Sequence, residues 1–212
     1  MTWTMGKRVK GVCIALEANP FSIVVLAGGQ SSRMGCDKAA LPWGNGNILY
    51  NLLLRLLTLS DDVVVVSNTT RNIILPVGQV ADLLTSKGPL SGIHAGLIHA
   101  KYSRVFVTAC DVPFLMSEMI PIIVQSVGMH DGAVTVHKGK IEPLLACYRK
   151  SCATIIEDLI PKKQYSVLQL LDRINWVPVT CFDELDDYHF MNINTYEDYE
   201  RAKVILERRK QL

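Results

Sequence analysis

The sequence has 212 residues, and none of its six cysteines, Cys13, Cys36, Cys110, Cys147, Cys152 and Cys181, forms a C-x-x-C pair or stands beside a histidine at metal-ligand spacing. That absence excludes a zinc ribbon and a thioredoxin-type motif, and the thiols are expected to be reduced, as in a cytoplasmic protein. Charge of one sign is lacking too. Lys+Arg 22 against Asp+Glu 20 leave a net +2, too balanced for a chain that neutralises many nucleic-acid phosphates, so no nucleic-acid partner is expected. No run approaches the ~20 apolar residues of a membrane span. The most apolar segment, Ile48 to Leu59, is broken by Asn51 and Arg55 and reads as a buried helix, so no membrane partner is expected either. Lys7, Arg8 and Lys10 precede a short apolar stretch that Glu17 cuts off before it could form a secretory core. The five histidines form no H-E-x-x-H pair and no G-x-S-x-G frames a serine, which removes zinc-peptidase and serine-hydrolase readings and leaves the histidines as surface or packing residues.

What is present is an ordinary globular composition, 49% hydrophobic and 20% charged, which excludes disordered and collagenous classes. The length favours one domain. Residues 1–21 are expected to be an N-terminal extension and 22–212 a single domain. Short Val- and Ile-rich runs alternate with longer amphipathic stretches. Strands are predicted at Ser22–Ala27, Asp62–Ser67, Arg104–Ala109 and Gly132–Val136. Helices are predicted at Ile48–Leu59, Pro89–Ala100, Ser117–Gly128, Cys152–Leu159, Ser166–Arg173 and Thr195–Arg209. An apolar run at Leu144–Tyr148 after the His137–Lys140 turn adds an antiparallel excursion. The expected fold is a three-layer α/β/α, Rossmann-like, mixed but mainly parallel sheet.

The richest chemistry follows the first strand, in Leu26-Ala-Gly-Gly-Gln-Ser-Ser-Arg-Met-Gly-Cys-Asp-Lys38. Glycines let backbone N–H groups approach phosphate oxygens closely, and Arg33 and Lys38 add positive charge. A plain strand-to-helix turn with two solvated cations is the alternative, which three glycines and two cations weaken. Walker A is excluded, because Asp37 precedes Lys38 and Ala39 follows it, leaving neither the glycine nor the hydroxyl. A dinucleotide fingerprint is excluded because Gly28 and Gly29 are adjacent. Asp111 sits just past a strand, where a carboxylate faces a ligand crevice and suits Mg²⁺, or else serves as a turn residue before Pro113. Gly88-Pro-Leu-Ser-Gly92 opens a helix whose N–H groups could face an anion, unless Pro89 is simply a good first helical residue. Asn192 and Asn194 stand on either side of Ile193 just before the last predicted helix, and Asn194 could equally be a helix start signal.

These pieces together carry a resemblance. Leu26-Ala-Gly-Gly with Arg33-Met-Gly and Asp37-Lys38 resembles the signature of nucleotidyltransferases that share the nucleotide-diphospho-sugar transferase fold, and the Gly-Gly form most resembles the molybdenum cofactor guanylyltransferases. The likeness continues in order through Asn68, Asp82, Gly88–Gly92, Cys110-Asp-Val-Pro-Phe114, Glu142-Pro-Leu-Leu145 and Asn192-Ile-Asn-Thr195, from about Ser22 to Ala202. It implies transfer of GMP from GTP to the terminal phosphate of molybdopterin or Mo-molybdopterin, with release of pyrophosphate and use of Mg²⁺ on Asp111. Molybdenum-cofactor proteins are implied as partners. Arg33, Lys38 and Asp111 would be catalytic. Leu26, Ala27, Gly28, Gly29, Lys38, Asn68, Asp82 and Asp111 would bind the nucleotide, with guanine read around Leu26, Asn68 and Asp82. Gly88, Gly92, Asn192 and Asn194 would contact the acceptor. Where that family commonly has an arginine before the serine of a late helix, this chain has Tyr165 before Ser166, and Lys162 and Lys163 just upstream are expected to replace it. A cytidylyl- or sugar-phosphate nucleotidyltransferase of the same fold, or a non-catalytic nucleotide-binding homologue, are the other readings.

Overall fold

Four consecutive valines, Val63–Val66, are buried on both faces, as a strand must be when helices cover both sides of its sheet. The computed structural model describes residues 19–28, 36–82, 84 and 88–210. In chain order the elements are β1 (Ser22–Leu26), the hairpin strands β2 (Pro42–Trp43) and β3 (Gly46–Asn47), α1 (Ile48–Leu56), β4 (Val63–Val66) and β5 (Gly78–Val80). They continue with α2 (Pro89–His99), β6 (Arg104–Ala109), α3 (Met119–Ser126), β7 (Gly132–His137) and β8 (Lys140–Arg149). The chain ends with α4 (Cys152–Leu159), α5 (Val167–Leu171), β9 (Trp176–Val179) and α6 (Tyr196–Lys210), and short 3-10 turns lie at Lys38–Ala40, Ile160–Lys162 and Asp187–Phe190.

Seven strands form one sheet in the order β5-β4-β1-β6-β8-β7-β9. β8 pairs antiparallel with both neighbours, and every other pairing in this sheet is parallel. Alternation along β1 sorts the two cores. Ile23 and Val25 face Leu49, Leu52, Leu53 and Leu56 of α1 and the apolar side of α3, while Val24 and Leu26 face α2, α4 and α5. Each fully buried leucine of α1 stabilises this arrangement by about 1.5–3 kcal/mol. A third, smaller cluster of Trp43, Ile48, Phe114, Ile193, Tyr199 and Ala202 seats α6 against the β2–β3 hairpin.

The expected three-layer, mainly parallel sheet is the observed one, and the sheet also contains strands that the apolar pattern did not signal. β5, with Gly78 and Gln79 exposed, and β9, with Pro178, lie at the two edges, where main-chain pairing suffices and a missing N–H is tolerated. α1 stops at Leu56 instead of Leu59, and α3 opens at Met119 instead of Ser117. The predicted turn between β7 and β8 is a two-residue hairpin with Lys138 at φ 49° and Gly139 at φ 80°, the left-handed pair that matches strand twist. Among the described residues no helix is long and apolar enough to cross a membrane, and the five described cysteines are free thiols. Most of the predicted extension, residues 1–18, lies outside the described residues.

Candidate active site

The chain leaves β1 through α1 to reach β4 on one side, and later returns through α2 to place β6 on the other side of β1. Because α1 and α2 cover opposite faces, the strand order switches direction between β1 and β6, and the crevice at the carboxyl ends of these strands is where open α/β sheets bind ligands. Gly28 lies two residues past the end of β1 and Asp111 two residues past the end of β6. A Cβ on Gly28 would meet only ordinary contacts, the nearest being Ser67 Cα at 3.7 Å, so packing does not by itself demand glycine there. Gly29, Arg33 and Gly35 lie outside the described residues.

Lys38 opens the 3-10 turn, capped by the Asp37 side chain, which accepts from Ala39 N–H at 3.1 Å. Its ammonium donates to Asn194 Oδ1 at 2.8 Å and lies 3.5 Å from Asp111 Oδ2. Residues 38, 111 and 194, distant in sequence, thus meet at one point. Ile193 N–H donates to the Asp111 carbonyl at 2.9 Å, which pins the asparagine segment beside the carboxylate. Burial pushes the Asp111 carboxyl above its ordinary value, and the nearby Lys38 ammonium opposes that. Asp111 Oδ1 is buried with no hydrogen-bond partner. Its neighbour Cys110 is an inert buried thiol, pushed up to about 12 by burial.

The loop after Asp111 is held by side chains on three successive carbonyls. Arg55 of α1 donates to Pro113 O at 2.9 Å and Leu115 O at 2.7 Å, and His189 Nδ1 donates to Phe114 O at 3.0 Å. Beyond β4, Asn68 accepts from Asp82 N–H at 2.9 Å and donates to Asp82 Oδ2 at 3.3 Å, while Ser91 donates to the same oxygen at 3.0 Å. Gly92 lies in this corner, where a Cβ would come within 3.1 Å of Leu26 Cδ2 and 3.4 Å of Asp82 Oδ1. Gly88 packs on the Tyr165 backbone, leaving 2.7 Å between a Cβ and Tyr165 O. Lys162 and Lys163 are exposed and lie three and two residues before Tyr165. Asn192 points elsewhere than Asn194, into a small pocket with Val112, Glu142, Leu144, Leu145 and Phe190.

Two site residues carried no sequence signal. Arg55 looked like an interruption of an apolar helix. Arg71, in the loop after β4, donates to both Asp37 oxygens, to Ala27 O and to Ser67 Oγ. Three histidines are structural: His189 on Phe114, His94 on Glu157 and His137 on Asp187.

A doubly wound sheet with one reversed strand, and a lysine, carboxylate and asparagine gathered at its switch point, define a nucleotidyltransferase of the nucleotide-diphospho-sugar transferase fold. The chain belongs to the molybdenum cofactor guanylyltransferase family, and its residues 23–175 match the MobA-like NTP transferase domain. It is 32% identical over 185 residues to a probable molybdenum cofactor guanylyltransferase of Carboxydothermus hydrogenoformans, covering 85% of this chain and 93% of that one. It is 34% identical to the corresponding protein of Pelotomaculum thermopropionicum, over 87% of this chain and 92% of the relative. The crystal structure of molybdopterin-guanine dinucleotide biosynthesis protein A from Archaeoglobus fulgidus superposes with a TM-score of 0.76 at 27% identity, covering 88% of this chain and 99% of that one.

Proposed function

We propose that this protein transfers GMP from GTP to the terminal phosphate of molybdopterin or Mo-molybdopterin, releasing pyrophosphate, from a single domain spanning residues 22–212. The observation that carries this reading is the convergence of Lys38, Asp111 and Asn194 in the crevice between β1 and β6, supported by relatives whose names state that activity.

Asp111 fits a magnesium ligand. Its Oδ1 is buried without a partner, and no group of three His, Cys, Asp or Glu able to hold a metal occurs among the described residues. Mg²⁺ suits such a site, since it takes one or two carboxylates and completes its shell with water and substrate phosphates. When bound there it would neutralise charge on the transferring and leaving phosphates. Lys38, with Arg33 assigned from the sequence pattern, would stabilise the same charge from the loop side. The acceptor phosphate has a second pKa near ~6 and is largely a dianion at neutral pH, so it needs no general base. The Asp82 carboxylate, oriented by Asn68 and Ser91, would accept the two adjacent N–H donors of guanine, beside Leu26 and Ala27 at the β1 terminus. Gly88, Gly92, Asn192, Lys162 and Lys163 would serve the acceptor, and the dinucleotide product would pass to molybdenum-cofactor proteins.

Pyrophosphate release is measured with each of the four nucleoside triphosphates, Mg²⁺ and molybdopterin. Release with GTP alone is expected. Equal rates with CTP would assign the chain to the cytidylyl branch, and GTP binding without release would make it a non-catalytic homologue.

A further inference from the structure

One partly buried guanidinium is bonded to both flanks of the glycine-rich segment. Arg71 Nη1 donates to Asp37 Oδ2 at 2.5 Å and Nη2 to Asp37 Oδ1 at 3.1 Å, a bidentate pair. Nη2 also donates to Ala27 O at 2.6 Å, and Nε donates to Ser67 Oγ at 3.1 Å. Ala27 directly precedes the segment and Asp37 ends it one residue before Lys38. The Arg71 side chain is only 12% exposed, against 44% for Asp37. Desolvating a guanidinium is costly unless its donors are satisfied, and here three of its nitrogens find acceptors on three separate pieces of chain.

We propose that Arg71 is a positioning residue for the transfer reaction, holding Asp37, and through it Lys38, in working register with the crevice. The linkage runs through named bonds. Arg71 fixes the Asp37 carboxylate, that carboxylate caps the 3-10 turn through Ala39 N–H, and Lys38 is the first residue of the turn. From there its ammonium reaches Asn194 and Asp111. Arg71 also neutralises a carboxylate that would otherwise repel a triphosphate at the loop end. A lysine cannot substitute, because one ammonium lacks the planar fork needed for Asp37, Ala27 and Ser67 together. The inference rests on the proposed nucleotidyl transfer for the role of Lys38.

The test compares Arg71→Ala, Arg71→Lys and Asp37→Asn with the wild-type protein for melting temperature and for kcat and KM with GTP, Mg²⁺ and molybdopterin. Displacing a catalytic group by about 1 Å can cost about 10²-fold. Arg71→Ala should therefore lose about tenfold to a hundredfold in kcat, with a smaller rise in KM for GTP. Arg71→Lys should recover little, and Asp37→Asn should show a weaker loss of the same kind. Free guanidinium at non-denaturing concentration should restore part of the Arg71→Ala rate and none of the Lys38→Ala rate, a difference that a general loss of stability does not produce. A folded Arg71→Ala protein with wild-type kcat overturns the proposal, as does full activity in Arg71→Lys or equal guanidinium rescue of Lys38→Ala. If Arg71→Ala does not melt cooperatively, Asp37→Asn decides, and wild-type kcat there overturns it. If the wild-type protein transfers no nucleotide at all, the proposed function fails. GTP affinity by calorimetry then replaces kcat, and unchanged affinity in Arg71→Ala overturns the inference.

Discussion

Gly96 of α2 rests directly on Val24 of β1: a Cβ at Gly96 would fall 2.4 Å from Val24 Cγ1 and 2.7 Å from Cγ2. Nothing wider than a hydrogen fits between helix backbone and strand side chain there. This closeness sets the height of α2 above the sheet, and with it the positions of Ser91 and Gly92 near Asp82.

Gly96→Ala is therefore expected to destabilise the fold by about 1–3 kcal/mol through overpacking. For a domain of this size that lowers the melting temperature by about 2–4 °C per kcal/mol. A thermal melt superimposable on wild type would show that α2 can move away from β1 without cost.

Asp111→Asn separates stability from chemistry. The wild-type carboxylate is buried and one of its oxygens has no partner, so removing the charge relieves desolvation while keeping the shape. The melting temperature should stay level or rise. Pyrophosphate release should fall by about 10²-fold or more, the scale for loss of a charge-stabilising group. A folded variant with normal turnover would leave Asp111 as a turn residue.

The Asp37 carboxyl is held below its ordinary value, chiefly by the hydrogen bond from Arg71. A carboxyl depressed in the folded state contributes stability that is present above its unfolded value, about 3.9, and is lost as pH falls through the lower folded value. Asp37→Asn should thus melt below wild type at neutral pH, and the gap should close as the solution is acidified below about pH 4. A gap independent of pH across that window would mean the pair contributes through shape alone.

Lys162 and Lys163 stand exposed, close in sequence to the contact between Tyr165 and Gly88. Changing both to alanine should raise the KM for molybdopterin by about fivefold or more, the scale of about 1 kcal/mol for an exposed charged contact. GTP affinity should not move. A defect confined to GTP binding would place these lysines on the nucleotide side instead.

The central strands were readable from sequence because burial on both faces leaves an unbroken run of apolar and β-branched residues, as at Val63–Val66 and at residues 105–109. The chemistry-bearing residues at their carboxyl ends came with them, since glycine and aspartate directly after such runs stand out. β5 and β9 were invisible for the converse reason: an edge strand is held by main-chain bonds that leave no composition behind. Arg71 was equally silent. Its role depends on partners at Asp37 and Ala27, 34 and 44 residues away, and a lone arginine after a strand looks the same whether it meets water or a carboxylate.

The reversal of β8 gives the crevice a second kind of wall. Running against its neighbours, β8 begins where β6 and β7 end, so Glu142, Leu144 and Leu145 open onto the same rim as Val112 and Asn192. The bonds that hold Lys38, Asp37 and Arg71 involve no residue of this hairpin. The protein is thus modular at its rim: a lengthened or exchanged hairpin would reshape the far wall while the contacts among Lys38, Asp37 and Arg71 kept their geometry.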